Sequence, residues 1–130
     1  MKLTEKYRGS GGRILIVEDD ENVMEFTVRA LKACGYTVYG ARNAQETLRL
    51  FKQLEGKFDL VFCDIQLPDQ SGVELIMKLI QIKPGLRVLL TSGYDCSQYD
   101  LTALLKKGIP FLEKPYPLTD LLRMIQDIAA

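Results

Sequence analysis

Six side chains that could do chemistry stand at or just after the ends of apolar runs: Glu18, Asp19, Asp20, Asp64, Thr91 and Lys114. Carboxylates that lie close together repel one another and raise each other's pKa unless a cation lies among them. Oxygen ligands favour a hard ion, so the acidic residues predict a Mg²⁺ site, with Mn²⁺ as an alternative.

An aspartate beside such a metal can act as a nucleophile and form an acyl phosphate. The metal would offset the charge of the transferring phosphoryl group, while the hydroxyl of Thr91 and the ammonium of Lys114 bind its remaining oxygens. This set of side chains therefore predicts a site that accepts a phosphoryl group on an aspartate.

Each of these residues also has an ordinary interpretation when it is taken alone. Asp64 could cap a strand, Thr91 is a common strand residue, and Lys114 could be a solvated charge. Residues 18–21 could be an acidic cluster favoured by the dipole of a following helix. Their joint placement at four strand ends favours the site, because ligands of parallel α/β sheets bind at the carboxyl ends of the strands.

The elements that must position these residues alternate along the chain. Apolar and β-branched runs predict strands at 13–17, 36–41, 58–64, 87–93 and 110–114. Helical spacing of apolar residues predicts helices over 21–34, 44 to about 54, 72–83, 96–107 and 118 to about 128. This alternation predicts an α/β fold with right-handed crossovers and a doubly wound parallel sheet that is covered on both faces.

Size and composition fit one globular domain and exclude several classes of protein. The 130 residues are 47% hydrophobic and 26% charged, which is enough apolar material for a single core. Lys+Arg and Asp+Glu both number 17, so no basic excess indicates contact with nucleic acid or with an anionic membrane surface. Apolar runs fall short of the roughly 18 residues that a membrane span requires.

Cysteine and histidine usage narrows the chemistry further. Cys34, Cys63 and Cys96 are isolated, which predicts small buried side chains in a reducing compartment and a cytoplasmic location. The chain contains no histidine. Catalysis by Ser-His-Asp or Cys-His groups is therefore excluded, and any phosphohistidine must come from another molecule or another domain.

The N-terminal segment differs in composition from the rest of the chain. Residues 1–12 are polar and end in a run of glycine and serine, without the apolar stretch of a signal peptide. This composition predicts a linker or fusion remnant, and leaves 13–130 as the folded domain.

Four blocks of the sequence resemble a known family, the receiver domain of two-component response regulators. They are "ILIVEDDENV", "FDLVFCDIQLPDQSGVEL", "VLLTSG" and "FLEKPY", in the family's order, and the resemblance covers about 13–129. It implies a flavodoxin-like (βα)5 fold with a five-stranded parallel sheet in the order 2-1-3-4-5.

The resemblance also implies roles for the acidic residues. Asp64 matches the phosphoacceptor. Glu18 and Asp19 match the acidic pair that binds the metal, with Asp19 the direct ligand, and the backbone carbonyl of Gln66 completes metal binding together with Asp64. Asp20 lies one residue beyond the pair and is interpreted as charge at the start of the following helix.

The later blocks match the family's switch. Thr91 matches the switch hydroxyl, Lys114 the phosphate-binding lysine and Phe111 the switch aromatic. A cis peptide bond is implied between Lys114 and Pro115. Phe111 has no hydroxyl group, so we expect packing alone to hold its inward position.

The partners follow from the same resemblance. A histidine kinase or histidine phosphotransfer protein would donate the phosphoryl group of a phosphohistidine to Asp64. Thr91 would then move inward, Phe111 would turn into the vacated space, and the surface of the fourth predicted helix, fifth strand and fifth predicted helix would change partners or dimerise. We expect the domain itself to contact neither nucleic acid nor membrane.

The context of the domain has two interpretations. Glycine stands three residues before Phe111 in "LLKKGIPFLEKPY", which resembles receivers attached to hybrid histidine kinases. With the linker-like start, this favours a receiver from a hybrid sensor histidine kinase, whose parent chain could be membrane-anchored. A free-standing single-domain response regulator is the alternative.

The isolated domain is not expected to be an enzyme beyond catalysing its own aspartyl phosphorylation and dephosphorylation. A phosphotransfer enzyme of the haloacid dehalogenase type also uses an aspartate nucleophile and Mg²⁺. That class requires a general acid two residues after the nucleophile, where this chain has Gln66.

Overall fold

The computed structural model describes residues 2–9, 11–93 and 99–129. Its strands are β1 Arg13–Val17, β2 Thr37–Ala41, β3 Leu60–Asp64, β4 Val88–Ser92 and β5 Phe111–Glu113. The helices within these residues are α1 Leu3–Lys6, α2 Glu21–Ala33, α3 Ala44–Gln53, α4 Gly72–Ile82, α5 Thr102–Lys106 and α6 Leu118–Ala129.

The five strands form one parallel sheet in the order β2-β1-β3-β4-β5, which confirms the predicted fold. Its register brings the ends of the central strands together. Val17 pairs with Cys63 across β1 and β3, and Asp64 pairs with Thr91 across β3 and β4. Residues that follow these strands therefore meet at one edge of the sheet.

The core has one layer on each face of the sheet. Alternate residues of a strand point to opposite faces, so β1 contributes to both layers. Ile14 and Ile16 pack in the layer of α2 and α6, whereas Leu15 and Val17 pack in the layer of α3, α4 and α5. Burial on both faces explains why the central strands are continuous apolar runs.

The fourth predicted helix is shorter than expected. It was predicted over 96–107, but residues 99–101 are not helical and α5 begins at Thr102; residues 96–98 lie outside the described part of the chain. The carboxylate of Asp100 accepts a hydrogen bond from the Thr102 N–H at 3.0 Å, and this turn starts the helix. The helix ends at Lys106, and Gly108, which has a positive φ of 76°, follows directly after the C-cap residue Lys107.

Residues 2–9 contact the rest of the domain. The Gly9 N–H donates to the Cys34 carbonyl at 2.7 Å, and the Gln126 amide donates to the Arg8 carbonyl at 3.2 Å. Tyr7 packs against the layer of α2 and α6. The linker interpretation of 1–12 did not anticipate these contacts, although the boundary at residue 12 remains a prediction.

Two further expectations concern burial and membranes. Cys34 and Cys63 are buried free thiols, as predicted, while Cys96 lies outside the described residues. Among the helices of the described segments, none combines the length and the apolar character that crossing a bilayer would require.

Candidate functional site

Three carboxylates meet at the carboxyl ends of β1 and β3. Glu18 and Asp19 follow β1, Asp64 ends β3, and one oxygen from each lies within 4.8 Å of the others. Glu18 and Asp64 are buried, whereas Asp19 is exposed. Carboxylate oxygens at this spacing suit a hard divalent cation such as Mg²⁺, and the exposed side leaves room for water ligands.

Lys114 joins the two buried carboxylates. Its Nζ lies 2.7 Å from Asp64 Oδ2 and 3.0 Å from Glu18 Oε2. Burial alone would lower the pKa of this ammonium, but its hydrogen bonds to Asp64 and Glu18 outweigh burial and raise the pKa above the usual value. Lys114 is therefore a fixed positive charge beside the carboxylate of Asp64.

Glu18 is held in an environment that disfavours its charge. Burial raises the pKa of its carboxyl, and the nearby charge of Asp64 raises it further. Hydrogen bonds from Lys114 and from the Asp20 N–H act in the opposite direction without reversing the shift. A divalent cation in the cluster would stabilise the ionised form, as expected for a metal ligand.

Asp20 has a different task from its two neighbours. Its side chain accepts hydrogen bonds from the Asn22 N–H at 2.9 Å and the Val23 N–H at 3.0 Å, so it caps the N-terminus of α2. The structure thus places Asp20 at the start of the helix, where the sequence interpretation put it.

Gln66 orients the central aspartate. Its N–H donates to Asp64 Oδ1 at 2.9 Å, while Lys114 binds Oδ2 of the same carboxylate. Both oxygens of Asp64 therefore have a fixed partner. The side chain of Gln66 is exposed, and metal binding by its backbone carbonyl remains a prediction.

Thr91 and Phe111 lie beside the acidic cluster rather than within it. Thr91 is buried, and its hydroxyl donates to the Leu112 carbonyl of β5 at 2.7 Å. Phe111 is half-buried and packs against the layer of α3, α4 and α5. The Lys114–Pro115 peptide bond is cis, which is the form that the resemblance implied.

Cys63, next to Asp64, is not a competing nucleophile. Burial raises the pKa of its thiol, and the charges of Asp64 and Glu18 raise it further. The neutral S–H donates to the Asp64 carbonyl at 3.2 Å. Because the thiolate is the reactive form, this thiol is inert at neutral pH.

An apolar groove of about 730 Å³ opens next to Lys114. It runs between α2 and the start of α6, and Val23, Phe26, Tyr116 and Leu118 contribute to its walls. The Phe26 side chain is 61% exposed there. The groove offers an apolar surface to a partner immediately beside the acidic cluster.

The sequence analysis did not single out Gly72, which brings α4 against the end of β3. Its N–H donates to the Ile65 carbonyl at 2.6 Å. A Cβ at position 72 would overlap the Asp64 carbonyl oxygen and lie 2.7 Å from the Ile65 Cα. A glycine inside a turn cluster gives no sign of such a contact, because the contact depends on where the helix returns to the sheet.

We expect Gly72→Ala to destabilise the domain, because the new methyl group meets backbone rather than a movable side chain. The expected loss in free energy of unfolding is about 3 kcal/mol, the upper end of typical overpacking costs. Urea unfolding would measure it. Gly93→Ala is the matched control, since a Cβ at position 93 would have an ordinary 3.9 Å contact with Gln66 Oε1; equal stability of the two variants would contradict the close approach at Gly72.

Fold and site together define a class of protein: a doubly wound α/β domain with three carboxylates and a lysine at the carboxyl ends of its strands. A family model described as the response regulator receiver domain matches residues 14–126. The chain therefore belongs to the response regulator receiver domain family of two-component signalling.

Individual relatives agree with this assignment. The chain is 34% identical over 117 residues to the sensor kinase CckA of Brucella abortus (strain 2308), a match that covers 88% of this chain and 12% of the kinase. It is 30% identical over 114 residues to the response regulator receiver protein CpdR of the same organism, covering 88% of this chain and 93% of CpdR. The chain thus spans only a small part of the kinase.

A solved structure shows the same fold. The crystal structure of a CheY-like response regulator receiver domain protein from Methanospirillum hungatei JF-1 superimposes with a TM-score of 0.80 and 34% sequence identity. The match covers 92% of this chain and 94% of that chain.

Proposed function

We propose that this domain accepts a phosphoryl group from a phosphohistidine onto Asp64 in a Mg²⁺-dependent reaction. The observation that carries the proposal is the pair of contacts on Asp64, the Lys114 ammonium at 2.7 Å and the Gln66 N–H at 2.9 Å, beside two further carboxylates. Such a site combines a positioned nucleophile with charges that stabilise a phosphoryl group.

In the proposed reaction the phosphoryl group passes from a nitrogen of the donor to an oxygen of Asp64. A carboxylate oxygen of Asp64 forms a bond to phosphorus, the phosphorus–nitrogen bond of the donor breaks, and the departing imidazole takes a proton from solvent. Glu18, Asp19, Asp64 and the Gln66 carbonyl would hold Mg²⁺, which when bound offsets the charge on the phosphoryl oxygens. Because these 130 residues contain no histidine, the donor would be on another molecule or another domain: a histidine kinase or a histidine phosphotransfer protein.

Thr91 and Phe111 would report the phosphorylated state. The Thr91 hydroxyl must exchange its hydrogen bond with the Leu112 carbonyl for one with the phosphoryl group. That movement would open space near Phe111, which is half-buried and packs against the layer of α3, α4 and α5. The face of α5, β5 and α6 would then change its partners or dimerise, as in any two-state element biased by a new charge.

The setting of the domain is also a proposal. Similarity to a region of the sensor kinase CckA supports a receiver within a hybrid histidine kinase. CpdR supports the alternative of a free-standing regulator, because the match covers nearly all of its length. In either setting the isolated domain would catalyse only its own phosphorylation and dephosphorylation, and the cytoplasmic location remains a prediction.

Beryllofluoride, a phosphoryl mimic, tests the function. With Mg²⁺ present, we expect amide NMR shifts to change at Thr91, Phe111 and Lys114, and EDTA to reverse them. A response that is independent of Mg²⁺ would contradict the metal roles of Glu18 and Asp19. Sustained turnover of a small phosphomonoester would instead favour a phosphotransfer enzyme.

A further inference from the structure

Asp69 connects the loop that follows Asp64 to a distant helix. It lies in loop 65–71 between β3 and α4, and its Oδ1 accepts a hydrogen bond from the Ala44 N–H at 2.9 Å. Its Oδ2 accepts another from the Gln45 N–H at 3.0 Å. One carboxylate therefore binds two successive N–H groups at the N-terminus of α3, more than 20 residues away in the sequence.

The helix α3 already has caps of its own. Asn43 accepts a hydrogen bond from the Glu46 N–H at 2.8 Å, and the Glu46 side chain accepts one from the Arg42 N–H at 2.6 Å. Asn43 is therefore the N-cap, and Glu46 binds the residue before it rather than closing a capping box with Asn43 itself. Asp69 supplies the acceptors for the N–H groups of Ala44, which is buried, and of Gln45, which is exposed, so it joins the loop to the helix at two points.

The loop that Asp69 holds carries the groups that orient the site. Its first part contains Gln66, whose N–H binds Asp64 Oδ1 and whose carbonyl is the proposed metal ligand. Its last part closes onto Gly72, whose N–H donates to Ile65. Pro68 and Asp69 in the middle of the loop are exposed, and Asp69 connects this part to α3, which packs in the same layer as α4.

The hydrogen bonds also keep Asp69 ionised. The bond from the Ala44 N–H makes the largest contribution, and it lowers the pKa of the carboxyl below its usual value of 3.8. A charged carboxylate at a helix N-terminus is favoured by the helix dipole as well. The contact is therefore present throughout the neutral range.

We propose that Asp69 is a positioning residue for phosphoryl transfer: by holding loop 65–71 against α3, it fixes the Gln66 N–H and carbonyl around Asp64. The role rests on the proposed function. The positioning role explains why the exposed Asp69 binds two backbone N–H groups of α3. It requires no contact between Asp69 and the metal or the phosphoryl group.

Three variants test this role. Asp69→Ala removes the connection; Asp69→Asn keeps one acceptor oxygen and should retain part of it. Asn43→Ala is the matched control, because it removes a cap from the same end of α3 and leaves loop 65–71 attached. The measurements are Mg²⁺ affinity by NMR titration, hydrogen exchange of the Gln66 amide, and the thermal midpoint.

We expect Asp69→Ala to weaken Mg²⁺ binding about tenfold, as loss of a group that orients a metal ligand typically does, and to speed exchange of the Gln66 amide. Asn43→Ala should lower the thermal midpoint and change neither of these. If Asp69→Ala leaves Gln66 exchange and Mg²⁺ affinity at the wild-type values, Asp69 is only a helix cap. If the wild type itself binds no Mg²⁺, the proposed function fails, whereas Gln66 exchange still decides whether Asp69 positions the loop.

Discussion

Asp64→Asn is expected to abolish phosphoryl uptake completely. The amide oxygen is a poor nucleophile, and the substitution also removes the negative charge that faces the Lys114 ammonium at 2.7 Å. Transfer from a phosphorylated histidine kinase or from acetyl phosphate, followed by intact-mass measurement, would show the loss directly. The same variant should fail to give the NMR changes that beryllofluoride produces in the wild type.

A matched control separates this effect from a general effect of losing an aspartate. Asp59 stands at the opposite end of β3, where its Oδ2 accepts a hydrogen bond from the Arg13 N–H at 2.7 Å. Asp59→Asn should retain phosphoryl uptake because it lies far from the acidic cluster along the strand. If Asp64→Asn takes up phosphate at the wild-type rate, Asp64 is not the phosphoacceptor.

The second large effect concerns two neighbouring aspartates. Asp19→Ala should weaken Mg²⁺ binding by at least about tenfold, since loss of a direct ligand should cost no less than loss of a group that orients one. Asp20→Ala should leave Mg²⁺ affinity nearly unchanged, because its carboxylate is occupied by the Asn22 and Val23 N–H groups. The paired titrations therefore compare a metal ligand with a helix cap one residue away.

For the free energy of unfolding we expect the opposite order, with the larger loss in Asp20→Ala. Asp20→Ala removes the cap of α2 and should lower the free energy of unfolding by about 1 kcal/mol. Asp19→Ala should leave stability without metal unchanged or slightly higher, because an exposed acid is removed from a cluster of like charges. Equal losses of Mg²⁺ affinity in the two variants would show that the metal ligands are assigned one residue out of register.

The carboxylate cluster could be predicted because it depends on a short-range pattern. Glu18, Asp19, Asp64 and Lys114 each stand at the end of a strand-like run, and parallel strands place such ends at one edge of a sheet. Strand order and the family followed from the motif blocks. The structure brought these four residues together as predicted, while their roles in phosphoryl transfer await the experiments above.

Other features could not be predicted because they depend on contacts between distant segments. The close approach of Gly72 to Asp64, the hydrogen bonds from Asp69 to α3 and the packing of Tyr7 all arise only when separate elements meet. The late start of α5 also escaped prediction, because the Asp100 turn competes with a weak apolar pattern.

What the sequence determined by itself was therefore the order of strands and helices and the set of polar residues at the carboxyl ends of the strands, since local periodicity and residue type encode them. The tertiary structure decided how those residues are held. Both oxygens of Asp64 have their partners, and loop 65–71 is fastened to α3, only because the folded chain brings Lys114, Gln66 and Asp69 to those positions.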